Sequence, residues 1–297
     1  MKIGLYAPDS KIPNLALMKF SAYFKQQGNH VEFFKPILDG QYDAVYISKI
    51  FKNTSIKYLP HKQQVFYGGS GFQKWQYTLP VQIEHIYPDY DLYKIDYAMG
   101  FITRGCPNHC AFCIVPKKEG DLQFNAHLEE FWLGQKKLML LDNAITDCET
   151  AIPELIKIRD LKIQLELTQG FNIRTIQPEI AKILAEIKLW KSNCQWHIAW
   201  DNPADQAKIF QGIRILESAG IKCYRLMCYC LVGFNTSLKQ DLARIQALDK
   251  IDVDPFVMRY RKTASLNALA KWCNRPAIRH SCSFQEFSRE KKLNLIW

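Results

Sequence analysis

The first 105 residues contain no cysteine, although the chain has ten. A secreted disulfide scaffold would be short and evenly rich in cysteine, so this distribution excludes that class. The sequence also lacks an apolar run of the roughly 20 residues that a membrane-spanning helix needs. The start, MKIGLYAPDS, has neither a signal-peptide core nor a cleavage site. We therefore expect a cytoplasmic protein with no membrane partner.

The chain is basic but has no basic block. Its formal net charge is +10 over 297 residues, which favours polyanionic partners such as nucleic acids. The lysines and arginines are scattered, however, and form only short pairs such as Lys117-Lys118 and Lys136-Lys137. A solvated basic surface explains this pattern almost as well, so the charge favours a nucleic-acid substrate only slightly.

Residues 1–95 alternate short apolar runs with one helical pattern. We predict strands over 2–6, 31–34, 44–47 and 64–67, and a helix from Leu15 that ends at Gly28. This alternation is typical of half of a doubly wound sheet. The run from Gly68 to Gly71 does not match the dinucleotide-binding pattern, so we interpret it as a plain turn.

Residues 97–262 repeat a strand and a helix about six times. The predicted strands cover 97–103, 137–141, 162–168, 195–200, 225–232 and 256–260. The predicted helices cover 148–159, 178–189, 203–218 and 237–248. Six such units predict a parallel sheet curled into a partial (β/α)6 barrel. The predicted fold class is therefore α/β, with a Rossmann-like domain over 1–95, the barrel over 96–263 and a short tail over 264–297 packing on it.

Three cysteines, Cys106, Cys110 and Cys113, occur together directly after the first barrel strand. A closed zinc site needs four ligands, and the chain offers no second C-x-x-C pair to supply them. A cubane iron–sulfur cluster fits better, because three thiolates leave one iron open for chemistry. Gly105 and Pro107 would bend the loop, and Phe112 would shield the cluster from water.

The run RGCPNHCAFCIVPKKEG, at the end of a first strand and before five more βα units, resembles the radical S-adenosylmethionine (SAM) enzymes. It is similar to members with a cobalamin-binding-like N-terminal domain. The resemblance implies a [4Fe–4S] cluster on the three cysteines and SAM on the open iron. One electron, from a donor such as flavodoxin or ferredoxin, would cleave SAM to a 5′-deoxyadenosyl radical that abstracts hydrogen from a substrate not yet identified.

The resemblance also assigns roles to polar residues at the strand ends. Members often place Gly-Gly-Glu after the second strand to bind the methionine amino group, and this chain has Asp142-Asn143 there. Those two would either replace that segment or merely cap a turn. After the third strand, Arg174 could pair with the SAM carboxylate and Gln169 with the ribose. Asp201 is a second ribose candidate, although a helix N-cap explains it adequately.

The last two strands provide the candidates for adenine. Val232-Gly233 at the end of the fifth strand fits the position that packs adenine in the family, and Met258 on the sixth would form an apolar wall. A methionine on a buried strand is more often core. Cys228 and Cys230 share one face of the fifth strand, where we expect inert core thiols.

Absences separate the alternatives. Methylthiotransferases of this superfamily carry cysteines in an N-terminal domain, and this chain has none there, so we reject that activity. Cobalamin-dependent relatives usually show Asp-x-His-x-x-Gly, whereas the turn here reads Ala7-Pro8-Asp9-Ser10-Lys11. The N-terminal domain could bind cobalamin base-off, bind another molecule or act as a scaffold. A cobalamin-dependent methylase and a non-catalytic metal-binding interaction protein therefore stay as alternatives.

Overall fold

The structure, a computed structural model, describes residues 1–9, 12–61, 64–72, 78–191 and 195–290. The chain divides into two compact units. The first comprises Met1–His109 and Cys113–Leu140, and the second comprises Cys110–Phe112 and the chain from Leu141 onward. This division does not follow the predicted boundaries at residues 95 and 263, and the three-domain arrangement stays a prediction.

The first unit begins with a four-stranded parallel sheet of order β2-β1-β3-β4. Its elements are β1 Lys2–Tyr6, α1 Leu15–Gln26, β2 His30–Phe33, β3 Ala44–Ser48 and β4 Gln64–Gly68. All four predicted strands are confirmed, within one residue at either end. Parallel neighbours need crossover connections, and α1 provides the one between β1 and β2.

The sequence provides helix α1 with a capping residue, Asn14, at its start and with Gly28 just after its end. The Asn14 side chain accepts the Leu17 N–H at 3.2 Å and also donates to the Ser48 hydroxyl at 2.9 Å, so the cap fastens the helix to the end of β3. Leu17 and Met18 are fully buried. Gly28 has a φ of +76°, the left-handed conformation that ends helices, as predicted.

The rest of the first unit consists of short elements. They are α2 Val81–Glu84, β5 Ala98–Gly100, β6 Thr103–Arg104, α3 Val115–Lys118, β7 Gln123–Phe124 and β8 Lys137–Leu140. Strands β5 and β8 are parallel neighbours, with Met99 beside Met139. The predicted strand over 97–103 is shorter than expected, because the chain leaves β5 at Gly100 and pairs again only in the antiparallel β6–β7 ladder.

The second unit alternates helices and strands, as predicted. Its elements to residue 259 are α4 Ile152–Asp160, β9 Gln164–Leu167, α5 Pro178–Glu186, β10 Trp196–Ala199, α6 Gln206–Ser218, β11 Leu226–Val232, α7 Leu238–Asp249 and β12 Asp254–Arg259. Strands β10, β11 and β12 form a parallel sheet in that order. The parallel sheets confirm the α/β class, and the partial barrel belongs to the proposal below.

Helix α5 ends earlier than predicted, at Glu186 and not at residue 189. The following residues run beside β9, where the Leu165 N–H donates to the Lys188 carbonyl and the Trp190 N–H to the Leu165 carbonyl. Leu165 and Leu189 thereby form a parallel bridge. Sheet pairing of the backbone has overridden the helical pattern of the side chains here.

Three helices complete the described chain: α8 Ala264–Cys273, α9 Pro276–Arg279 and α10 Phe284–Glu290. They share one apolar cluster with β11, β12 and α7, which includes Val232, Val257, Leu269 and Phe284. Among the described residues, no helix has both the length and the hydropathy needed to cross a membrane.

Candidate metal centre and strand-end site

The three cysteines lie on one loop, residues 105–122, which we call the cysteine loop. The antiparallel β6–β7 pair closes it at the base, with Thr103 opposite Phe124 and Arg104 opposite Gln123. Gly105 opens the loop with a φ of +77°, and a Cβ there would lie 2.1 Å from the Asp121 carbonyl oxygen. Only glycine fits this position, which confirms the bend predicted at Gly105.

All three cysteines of the loop are half-buried. The Cys106 Sγ accepts the backbone N–H of Asn108 at 3.5 Å and its side-chain amide at 3.7 Å. The Cys113 Sγ accepts the Val115 N–H at 3.4 Å, where α3 begins. Such N–H donors stabilise negative charge on sulfur and tune metal–thiolate clusters.

Four charged side chains, the ionic chain, hold the base of this loop. The Arg104 guanidinium lies 2.8 Å from the Glu84 carboxylate and 3.6 Å from that of Glu119. Glu119 in turn accepts the Gly105 N–H at 3.3 Å. Lys19 completes the chain, 3.0 Å from Glu84. The residue that begins the loop is therefore fixed by contacts that extend back to α1.

The ionic chain is largely excluded from water. Lys19 is only 6% exposed, and burial lowers the pKa of its ammonium group even though Glu84 opposes this. Burial alone would raise the pKa of Glu84, but the charges of Arg104 and Lys19 outweigh it and leave that pKa below its ordinary value. These residues were not predicted from the sequence, although a lysine inside the apolar stripe of a helix was a usable signal.

The predicted candidates after β8 lie in different environments. Asp142 is fully buried, and Asn143 is half-buried. Both interact with other groups of the chain. Their proposed contact with SAM stays a prediction.

The segment after β9 is tied to β10. The Phe171 N–H donates to the His197 carbonyl, and a Cβ on Gly170 would lie 2.4 Å from that same oxygen. Gln169, just before it, is exposed. Arg174 already has a carboxylate partner, Asp205, at 3.0 Å. Binding of the SAM carboxylate by Arg174 would therefore require an exchange of partners.

Asp201 is not the helix N-cap that the sequence suggested. Asn202 caps the following turn instead, its side chain accepting the Ala204 N–H at 3.1 Å. Asp201 accepts the Leu231 N–H at 3.0 Å, and so joins the ends of β10 and β11. Burial raises the pKa of Asp201, although the Leu231 N–H and the charge of Arg244 oppose the shift.

Arg244 and Asp241 form a buried pair on α7, the arginine clamp. The Arg244 guanidinium donates to the carbonyls of Trp200, Asp201 and Leu231, with distances of 3.0 Å to Asp201 and 2.7 Å to Leu231. Asp241 lies 2.6 Å from Arg244 and accepts the Gly233 N–H at 3.0 Å. The clamp was not predicted from the sequence, although an acidic and a basic residue three positions apart on an apolar helix face were its signal.

The three adenine candidates lie on different surfaces. The Val232 side chain is fully buried in the cluster with α7 and α8. Gly233 has a φ of +77°, and a Cβ there would lie 2.4 Å from Leu266 Cδ1. Met258 lies on the opposite face of the sheet and is 49% exposed, so it is not core.

The Phe112 ring lies in an edge-on series of rings. Its centroid is 5.2 Å from that of Phe234, which is 4.8 Å from that of Tyr260. Phe112 is half-buried, between the second and third cysteines. Whether it shields a cluster stays a prediction.

The thiols on β11 follow the core interpretation, whereas Cys223 and Cys282 are half-buried. Cys228 and Cys230 are fully buried, and burial raises the pKa of Cys228. Burial likewise raises the pKa of Cys273 to about 12. Such thiols are poor nucleophiles at neutral pH. Cys194 lies outside the described residues.

The glycine-rich turn after β4 packs against its own unit. Gly69 has a φ of +92°, and a Cβ there would lie 2.3 Å from the Lys49 carbonyl oxygen. A Cβ on Gly71 would lie 2.8 Å from the Lys49 side chain. These glycines therefore permit close packing on Lys49, which supports the plain-turn interpretation.

Asp9, where a cobalamin ligand motif would begin, also has local partners. Its carboxylate accepts from the Ile50 N–H and the Thr54 hydroxyl. The turn provides no histidine for a lower axial ligand. The residues therefore do not fit ligation of cobalamin by a histidine of this turn.

Comparison with known proteins gives one partial similarity. No protein-family model matches the chain. A segment covering 32% of the chain is similar to ribosomal protein uS12 methylthiotransferase RimO from Nitrosomonas eutropha, with 30% identity over 102 residues. The matched segment spans only 21% of that relative's length. The similarity points loosely to a radical SAM enzyme in general.

Proposed function

We propose that this chain is a radical SAM enzyme with a single [4Fe–4S] cluster on Cys106, Cys110 and Cys113. The observation that carries the proposal is the cysteine loop. It presents three half-buried thiols, begins at a glycine that no other residue could replace, and has a base fixed by ion pairs. The partial similarity to a methylthiotransferase supports the class.

The donor set fits a cluster better than zinc. Three sulfurs, two of them accepting backbone N–H groups, suit a cubane with one open iron. When bound, the cluster and SAM supply a 5′-deoxyadenosyl radical after one-electron reduction. Flavodoxin or ferredoxin is the expected class of electron donor. Because residues 1–105 contain no cysteine, we do not propose methylthio transfer.

In this proposal the chain's own residues bind SAM at the strand ends of a partial barrel. Asp142 and Asn143 accept the methionine ammonium group, and Arg174 exchanges Asp205 for the methionine carboxylate. Gln169 and Asp201 contact the ribose. Val232 and Gly233, at the end of β11, pack the adenine, Met258 forms its apolar wall, and Phe112 excludes water from the cluster.

The arginine clamp has a positioning role in this proposal. It fixes the carbonyls at the ends of β10 and β11, and it holds the Gly233 N–H in place. A preorganised strand end loses less entropy when it binds a cofactor. The ionic chain does the same for the start of the cysteine loop.

The test is anaerobic reconstitution with iron and sulfide, followed by electron paramagnetic resonance of the reduced protein with and without SAM. We expect a cubane signal that changes on addition of SAM, together with formation of 5′-deoxyadenosine. Cys106→Ala, Cys110→Ala and Cys113→Ala should each abolish both results. Cys282→Ser, at a half-buried cysteine outside the loop, should abolish neither.

Two other outcomes would contradict the proposal. Folded protein that holds zinc tightly and no cluster would identify a non-catalytic metal-binding protein. A cluster whose signal ignores SAM would exclude the radical mechanism. Retention of cobalamin during purification would instead identify the cobalamin-dependent methylase.

A further inference from the structure

The β10–β11–β12 sheet has one buried face and one open face. Along β11 the side chains alternate strictly, with Cys228 and Cys230 buried and Tyr229 half-buried. Val232, at the end of the buried series, packs on the helices of the apolar cluster. In-register neighbours of a parallel sheet share a face, so Tyr229 lies beside Phe256 and Leu231 beside Met258.

The open face is apolar along the edge strand β12 and just beyond it. Phe256 is 36% exposed, Met258 49% and Tyr260 46%, and these three alternate with side chains on the other side of the chain. The Tyr229 and Phe256 rings meet edge-on at 5.8 Å. A contiguous exposed patch of this kind marks a binding surface more often than chance.

One end of this face leads to Phe112, which belongs to the second unit. The Tyr260 ring contacts Phe234, and Phe234 contacts Phe112, which lies between Cys110 and Cys113 in the sequence. A planar group stacked on Tyr260 would therefore lie on the same series of rings as Phe112.

Cations follow directly on the aromatic residues. Arg259, Arg261 and Lys262 are all exposed, and the Arg261 guanidinium lies 5.8 Å from the Tyr260 ring centroid. Arg259 donates to the Asn267 side chain. In the described parts of the chain, neither Arg261 nor Lys262 forms an ion pair. Their charge is therefore available to an anionic ligand.

We propose that the open face binds unpaired bases of a single-stranded nucleic acid. The bases stack on Phe256 and Tyr260, and the adjoining phosphates contact Arg261 and Lys262. Aromatic platforms next to cations are how proteins bind single strands, because every base has a π face and every nucleotide a phosphate. An apolar peptide partner would use the rings but would have no need for the cations. As an assignment of substrate class, this inference rests on the proposed function.

The test uses the full chain without cluster or SAM. A fluorescein-labelled single-stranded RNA of mixed sequence, its DNA equivalent and its duplex are titrated by anisotropy at several salt concentrations. We expect the single strands to bind more tightly than the duplex. Phe256→Leu and Tyr260→Leu keep the apolar surface but remove the π faces, so each should weaken binding about 5- to 100-fold.

Removal of the two cations should change the salt dependence of binding. The double variant Arg261→Gln, Lys262→Gln should reduce the slope of log K against log salt by about 0.7 per removed phosphate contact. The matched controls lie at the amino end of β11, where Tyr224 is 66% exposed and Lys222 is exposed. Tyr224→Leu and Lys222→Gln should bind as the unchanged protein does.

Two results would overturn the inference: no binding of any oligonucleotide, or equal losses in the control variants. The outcome is separable from the proposed function, because binding is measured on metal-free protein. If the oligonucleotide binds but the reconstituted protein forms no 5′-deoxyadenosine, only the radical mechanism is refuted. If 5′-deoxyadenosine forms but no oligonucleotide binds, only the nucleic-acid surface is refuted.

Discussion

The two units place their buried charges differently. In the first unit, the ionic chain joins side chain to side chain, from Lys19 through Glu84 and Arg104 to Glu119. In the second, the arginine clamp joins a side chain to main-chain carbonyls at the ends of β10 and β11. One arrangement fixes the start of a loop, and the other fixes the ends of strands.

The difference follows from what each structure must hold. At its base the cysteine loop has only the short β6–β7 ladder as backbone pairing, and side-chain ion pairs add to it. Parallel strands end with carbonyls that the sheet no longer pairs, and a guanidinium has enough donors to satisfy several at once. Loss of Arg244 therefore leaves a buried carboxylate without its cation and several carbonyls without this donor.

The largest effect is expected at the clamp. Arg244→Leu leaves Asp241, which is fully buried, without its cation, and breaking such a pair costs about 3–5 kcal/mol. Chemical denaturation followed by circular dichroism measures the free energy of unfolding. Arg214→Leu, at an exposed position on α6, is the control and should change it by less than about 0.5 kcal/mol. Equal losses in the two variants would mean that the clamp contributes nothing specific.

A smaller effect is expected in the ionic chain. Glu84→Gln keeps the shape but removes the carboxylate that faces Lys19 and Arg104, and hydrogen bonds to charged groups contribute about 1.5–3 kcal/mol. Glu186→Gln is the matched control. Its side chain is 62% exposed and lies 3.3 Å from Arg159, so the loss should stay below about 1 kcal/mol. If the two variants lose the same stability, burial of the ionic chain does not strengthen it.

The sequence alone predicted the parallel strands well and the side-chain networks poorly. Period-two alternation and terminal glycines located β1 to β4 and the βα repeat, because those signals are local. The same alternation cannot say which face is buried. Val232 and Met258 are both predicted to contact adenine, and only the structure shows that their side chains lie on opposite faces of the sheet.

In the candidate site, too, the local feature was predicted from the sequence and the long-range side-chain contacts were not. The bend at Gly105 was predictable, because three closely spaced thiols require a tight loop. Asp201 was misjudged, since Asp201, Asn202 and Pro203 offer two adjacent capping side chains and only the three-dimensional contact with Leu231 decides between them. Arg244 was missed because its partners lie on strands that are distant in sequence.

The smallest expected effect concerns pH: the contributions of Glu84 and Asp201 to the free energy of unfolding change in opposite directions as the pH falls. The pKa of Glu84 is lower in the folded chain than in the unfolded chain, so its contribution to stability is present above the ordinary carboxyl range and is lost as the pH falls through the folded pKa. The pKa of Asp201 is raised by burial, so between its unfolded and folded pKa values the folded chain binds more protons and stability decreases as the pH rises. Denaturation between pH 3 and 7 should therefore show that Glu84→Gln removes a loss on acidification, whereas Asp201→Asn removes a gain. If both substitutions changed the pH dependence in the same direction, the charges around one of the two carboxylates would not act as the geometry implies.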